Sequence, residues 1–237
     1  MAPSRKSKEN LEILVSNWYE NRYNQINLSA NPQNLGFRLM HSLLEKTLPH
    51  TPTKKEGIRI LEIGANKGEH IDFVRDEWGE YLATDVRDLQ VGEINQLLTK
   101  GAKFLTADVE NLPFGGDSFD RVIVTCVLHH LSDPVSALSE IRRVLKPEGI
   151  ASILLPHDPG FLYRFLRNLT SVRKAAKLGL RNQLELVHAF EHRNHYLSLR
   201  MLIANEFEND IIFLKRFPFG FTSYNLNLFS VYQIKKL

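Results

Sequence analysis

Between Ile58 and Pro156 short apolar runs alternate with amphipathic stretches, and this alternation restricts the fold more than any other feature of the chain. IRILEIGA, EYLATDV, KFLTADV, DRVIVTCV and IASILLP are too short for buried helices and are rich in β-branched residues, so they read as strands. GEHIDFVRDEWG, a segment near 91–99, and DPVSALSEIRRVLKPEG read as intervening helices, the last stopped by Pro147 and Gly149. Consecutive strands separated by helices must cross over, which gives a parallel sheet covered on both faces. In such sheets ligands bind at the carboxyl ends of the strands.

The flanks add to this core. Leu11, Leu14, Val15, Trp18 and Tyr19 recur at helical spacing over 10–24, and Leu35, Leu39, Met40 and Leu43 do so over 33–47. NDIIFLKRFPF and NLFSVYQIKKL, joined by GFTSYNL, predict an antiparallel hairpin. The expected fold is α/β: a Rossmann-like, doubly wound, mostly parallel seven-stranded sheet ending in an antiparallel hairpin. It reads as one domain over 1–237. N-terminal helices cover 10–47, a core 58–156, an inserted helical cap 157–195, and a last helix with the hairpin 196–237.

Hydrophobic residues make up 43% of the chain, enough for a packed core, and no apolar run is long enough to span a membrane. Cys126 is the single cysteine, so no internal disulfide forms, and MAPSRKSKEN is not followed by an apolar signal region. A cytoplasmic protein is expected, with peripheral membrane contact left open. A net charge of +3 is too small to imply nucleic acid by itself.

Three strand ends carry the chemistry. LEIGANKG joins the first core strand to the next segment: Gly64 allows a tight turn and Gly68 a close backbone approach to a ligand. Asp85, 21 residues after Gly64, ends the second strand, where a carboxylate can accept both hydroxyls of a ribose. Asp108 ends the third, where it can accept from an adenine amino group. Each acid has a plainer reading as a loop cap, and a glycine-rich turn alone is weak evidence.

LEIGANKG, the Asp85 strand end, TADVENLPFGGDSFDRVIV, VLHHLSDP and LKPEG together resemble the class I S-adenosylmethionine-dependent methyltransferases, in the branch acting on small molecules, lipids and sugars. The resemblance implies S-adenosyl-L-methionine as cofactor and S-adenosyl-L-homocysteine as product. It places Glu62 and the turn Gly64, Ala65, Asn66 and Gly68 beside the methionine portion. Asp85 would hold the ribose, Val86 would lie near the adenine, and Asp108 with Val109 would frame the ring. Thr125 and Cys126 would line the wall near the sulfonium. The middle glycine usual in the family is Asn66 here, and asparagine tolerates positive φ better than most residues. The missing middle glycine also argues against a nicotinamide-binding fingerprint.

Histidines are the candidate bases for an acceptor that must lose a proton. His129 and His130 follow the fourth strand and His157 the fifth, all on the ligand side. His188, His192 and His195 follow an i, i+4, i+7 spacing that puts them on one helical face. Of these, His157, His192, His195 and His130 are the candidates for base or acceptor binding. No carboxylate cluster completes a ligand set around them, so no metal is expected. Trp18, Tyr19 and Tyr23 suggest an aromatic lid over the cofactor, with core packing of a helix stripe as the plainer reading.

From Gly160 to Leu184 there is no acidic residue. Arg164, Arg167, Arg173, Lys174, Lys177 and Arg181 interleave with Phe161, Leu162, Phe165, Leu166, Leu169, Val172 and Ala176 at roughly helical spacing. This basic cap is a solvated face, a guide for an anionic acceptor or, least in keeping with the overall charge, a grip for nucleic acid. The expected acceptor is a small molecule, a glycan or nucleotide-sugar, or a lipid headgroup, methylated on oxygen or nitrogen. An RNA methyltransferase and a non-catalytic binding protein on the same scaffold are the alternatives. The sequence sets no oligomeric state.

Overall fold

The computed structural model describes residues 5–22, 26, 35–49, 57–220 and 223–237. Seven strands form one sheet: β1 (Ile58–Ile63), β2 (Trp78–Asp85), β3 (Lys103–Thr106), β4 (Phe119–Thr125), β5 (Leu145–Pro156), β6 (Ile211–Phe217) and β7 (Phe229–Lys235). Their spatial order is β3-β2-β1-β4-β5-β7-β6. The pairs among β1 to β5 are parallel, whereas β7 runs antiparallel to both β5 and β6. The strand order reverses direction at β1 and β4, the switch point at which open α/β sheets hold their ligands.

Helices α1 (Arg5–Asn21) and α2 (Leu35–Lys46) precede the sheet. Within it lie α3 (Asn95–Thr99) and α4 (Pro134–Val144), and α8 (Tyr196–Glu206) precedes β6. The cap consists of α5 (Phe161–Arg167), a π turn over Asn168–Val172, α6 (Arg173–Lys177) and α7 (Arg181–Glu191). Trp18 and Ile26 join Val172, Ala175, Leu184 and Val187 in a small core of their own, which docks α1 onto the cap.

Several sequence expectations shift. The helix expected over GEHIDFVRDEWG is one 3₁₀ turn, Glu69–Asp72, because β2 already starts at Trp78. The helix near 91–99 shrinks to α3. The helix through LKPEG ends at Val144, and Leu145 is already extended. A bulge lets residues 146–149 loop out between the Phe119–Leu145 and Arg121–Ile150 pairs. Asp133 caps α4 by accepting from the Val135 and Ser136 amides at 3.1 Å each, with Pro134 in the first turn. The apolar stripe of the basic cap is mostly unburied: Phe161, Phe165, Leu166 and Leu169 are exposed, and Val172 and Ala175 alone among 161–177 reach a core.

One charged network joins the layers. Arg121, fully buried on β4, donates to Glu45 of α2 at 2.6 and 3.1 Å and to Asp76 at 3.0 Å. Its Nε donates to Ser152 Oγ on β5, and Ser152 donates to Gln233 on β7. Gln233 donates back to the Leu44 carbonyl of α2 at 2.8 Å. Burial alone would raise the Glu45 carboxyl. The Arg121 charge and the hydrogen bonds from His70 and Arg121 outweigh it and hold Glu45 at about 2.

Removing one partner of such a pair strands the other charge in the interior. Glu45→Gln is therefore expected to cost about 3–5 kcal/mol at pH 7, read from urea unfolding. Because the folded pKa of Glu45 is depressed, its stabilisation is complete above the ordinary carboxylate range and fades as pH falls toward about 2. The gap between wild type and variant should narrow over that window, and a pH-independent gap would refute the ion-pair account.

Candidate active site

The turn after β1 is built from left-handed residues. Gly64 has φ 66°, Asn66 φ 48° and Gly68 φ 83°. A Cβ on Gly64 would lie 2.3 Å from Val127 Cγ2, and one on Gly68 would lie 2.2 Å from Leu97 Cγ, so both positions need glycine. Asn66 adopts the positive φ its side chain permits and uses that side chain twice: Nδ2 donates to Glu69 at 2.9 Å and Oδ1 accepts from Arg87 at 2.8 Å.

Asp85 ends β2 with its carboxylate against this turn. Oδ2 accepts from the Asn66 amide at 3.0 Å, and Oδ1 accepts from the Arg87 amide and Nε at 3.0 Å each. The turn and the acid are thus one unit. Arg87 lies over the Tyr19 ring at 6.0 Å, and the Tyr19 hydroxyl donates to Glu191 at 3.2 Å. A continuous chain of contacts therefore runs from the strand-end acid through α1 to the end of α7. Trp18 is buried in the cap core, and Tyr23 lies outside the described residues.

Val86 is 70% exposed beside Asp85, whereas Val109 is buried in the main core and leaves only its backbone at the site. Asp108 is exposed and accepts from the Glu110 amide at 2.9 Å. Thr125 and Cys126 are half-buried at the end of β4, where burial pushes the thiol up to about 12. Ala65 is buried. Glu62 is buried on β1 and accepts from the Tyr81 hydroxyl at 2.7 Å. Burial pushes its carboxyl up to about 8, the Tyr81 hydrogen bond opposing.

The histidines divide. His157 is fully buried, its Nδ1 donating to the Tyr224 carbonyl at 3.0 Å and its Nε2 accepting from Ser230 at 2.6 Å. Both ring nitrogens are committed to joining β5 to the β7 side, and burial pushes the imidazole down to about 4. His195 does not share a face with His188 and His192. The helix ends at Glu191, and His195 is exposed as the residue before α8. The chain turns there because the Arg193 and Asn194 amides leave the helix and donate to the His129 carbonyl at 2.9 and 3.1 Å. Arg193 and Asn194 side chains also donate to Ser132 Oγ and the Leu131 carbonyl, latching the HHLSDP loop.

That latch gathers four imidazoles. His129 and His130 have ring centroids 3.9 Å apart, His129 and His192 4.6 Å, and His188 and His192 3.9 Å. His130 Nδ1 donates to the Glu191 carbonyl at 3.2 Å. Burial pushes His130 down to about 3 and lowers His129 and His192 as well, so these three rings are neutral at neutral pH. Asp158, just past β5, approaches His192 Nδ1 at 2.6 Å and His188 Nε2 at 3.0 Å.

Residues 61–153 match the family model of a methyltransferase domain. The sheet order and the antiparallel terminal hairpin are those of the Rossmann-like methyltransferase fold. The ubiquinone/menaquinone biosynthesis C-methyltransferase UbiE of Coxiella burnetii is 31% identical over 108 residues, 42% of this chain and 43% of that protein. A demethylmenaquinone methyltransferase of Clavibacter sepedonicus is 34% identical over 95 residues, 39% of each chain. The chain thus spans less than half the length of these curated relatives. A methyltransferase from Thermotoga maritima superposes with TM-score 0.61 at 17% identity, covering 96% of this chain and 99% of that one. The 1,6-didemethyltoxoflavin-N1-methyltransferase of Burkholderia thailandensis, solved with its acceptor and S-adenosylhomocysteine, gives 0.61 at 16% identity over 100% of this chain and 92% of that one. These structures share the methyltransferase fold.

Two parts of this site were not singled out from the sequence. Arg87 binds Asp85 from two positions along the chain, where a basic residue gives no signal of its own. Asp158 reads locally as a turn acid before Pro159. The i, i+4 spacing of His188 and His192 was visible, but the carboxylate that meets them comes from another element.

Glu62 offers a direct test of burial at the site. A carboxyl whose folded pKa is raised loses stability as pH climbs from the ordinary carboxylate range toward about 8. Glu62→Gln should therefore gain on wild type in thermal melts as pH rises from acid to mildly alkaline. A constant difference across that range would contradict the assignment.

Proposed function

We propose that this chain is an S-adenosylmethionine-dependent methyltransferase acting on a small-molecule acceptor. One observation carries the reading: Asp85 Oδ2 accepts from the Asn66 amide, which locks a left-handed turn after β1 to the acid ending β2, at the switch point of the sheet. The donor set fits the cofactor. The glycine turn admits the methionine portion, Asp85 suits the ribose hydroxyls, exposed Val86 offers an apolar face to adenine, and Asp108 suits its amino group. When bound, the cofactor supplies an electrophilic methyl group, and the protein supplies position and a dry site.

The chain's own part is acceptor chemistry. His130 is more open than His192, with side-chain exposures of 28% and 18%. Its Nδ1–H is spent on the Glu191 carbonyl, which leaves Nε2 with a lone pair. We assign to Nε2 the proton released as an acceptor O–H or N–H becomes methylated. The histidine cluster follows the carboxyl ends of β4 and β5, and Val127, two residues before His129, packs against Gly64 of the glycine turn. The names of the relatives, which methylate quinone precursors and a toxoflavin precursor, support a small acceptor. The exposed basic residues of α5 and α6 favour an anionic group on it, such as a phosphorylated sugar or lipid headgroup.

Calorimetry decides the cofactor claim. S-adenosylmethionine and S-adenosylhomocysteine are expected to bind one per chain, and Asp85→Ala to weaken both about tenfold or more, the loss of charge-assisted hydrogen bonds at a partly buried site. Absence of binding to either at millimolar concentration would overturn the proposal.

A further inference from the structure

The histidine cluster is more than a proton acceptor requires. One imidazole suffices for that, yet four imidazoles and a carboxylate meet there. Asp158 Oδ2 lies 2.6 Å from His192 Nδ1 and 3.0 Å from His188 Nε2, and the three side chains are 9%, 18% and 23% exposed. A second trio, His129, His130 and His192, also brings one nitrogen each within 4.8 Å of the others. His129 is 5% exposed, and its Nδ1 is buried without a hydrogen-bond partner. A polar ring nitrogen left so costs stability unless something else meets it.

We propose that Asp158, His188 and His192 bind a divalent first-row transition ion, with zinc the best chemical match. Two imidazoles and one carboxylate are a recurrent ligand set for such ions and leave coordination positions open. His188 and His192 sit one turn apart on α7 and its C-terminal cap, a spacing that lets two rings address one point. Asp158 comes to them from the end of β5.

The geometry needs little adjustment. Zinc holds nitrogen and oxygen ligands at about 2.0–2.2 Å, which sets neighbouring ligand atoms of a tetrahedral site roughly 3.3–3.6 Å apart. The two separations at Asp158 fall short of that by about 1 Å or less. The electrostatics also suit a cation. Burial would raise the Asp158 carboxyl, but the His188 and His192 rings facing it outweigh that and hold it well below the usual carboxylate range. The site therefore offers one carboxylate and two imidazoles. His129 and His130 pack directly behind His192 and form the wall of the site.

Ion binding is independent of the methyl-transfer reading and is measured without cofactor or acceptor. The full chain, stripped with chelator, is titrated with Co²⁺ as a visible probe and then with Zn²⁺. One equivalent of Co²⁺ with d–d absorption, displaced by Zn²⁺, is the expected result. Asp158→Ala and His192→Ala should each lower Co²⁺ affinity about 100-fold or more, since loss of even an outer-shell partner costs 10–100-fold. His195→Ala, altering an exposed histidine outside the cluster, should leave it unchanged. Circular dichroism checks that each variant is folded, with His188→Gln as the milder replacement. No one-equivalent Co²⁺ spectrum in the wild type, or the same affinity in folded Asp158 and His188 variants, overturns the proposal.

Discussion

A guanidinium sits completely buried in the middle of the sheet, and the layers around it are arranged to make that tolerable. Arg121 needs Glu45 and Asp76 as anions and Ser152 as an acceptor. Those partners come from α2, from the segment before β2, and from β5. Meeting the demand of one side chain therefore fixes α2 against the sheet, and Gln233 extends the same network to β7. An ion pair of this kind adds little net stability over an apolar core, but breaking it is severe, so it selects one arrangement of the layers.

The two ends of the sheet use charge differently. Arg121 lies near the start of β4, where each charge is closed off by a partner within the protein. Asp85, Asp108 and the histidine cluster lie at the carboxyl ends, where polar groups meet at the mouth of the switch point. Between them Glu62 is buried with Tyr81 and kept largely neutral by burial. The contact chain Asp85–Arg87–Tyr19–Glu191 ties this end to α1 and the cap. The N-terminal helix is thus coupled to the acid assigned to the cofactor and to the helix that carries two clustered histidines.

The core strands were legible because a parallel sheet buries both faces and leaves continuous apolar runs. The terminal hairpin was legible for a related reason, two β-rich runs joined by a short polar loop. Short helices were not. GEHIDFVRDEWG carries helical spacing but folds as a single 3₁₀ turn, because pairing with β1 recruits Trp78 and Gly79 into β2. LKPEG looks like a helix stop and is instead a bulged entry to β5, since backbone pairing with Phe119 starts at Leu145. The i, i+4, i+7 histidines looked like one face until the chain left the helix at His192 to donate to the His129 carbonyl.

By itself the sequence determined the order of the strands, the tight glycine turn, and the acids at successive strand ends. These are local or periodic properties, carried by residues close together along the chain. The tertiary structure alone decided that Arg87 closes on Asp85, that His157 is locked into the sheet, and that Asp158 meets His188 and His192. Each of those depends on a distance between separate elements, and the packing of α1, the cap and the HHLSDP loop sets that distance.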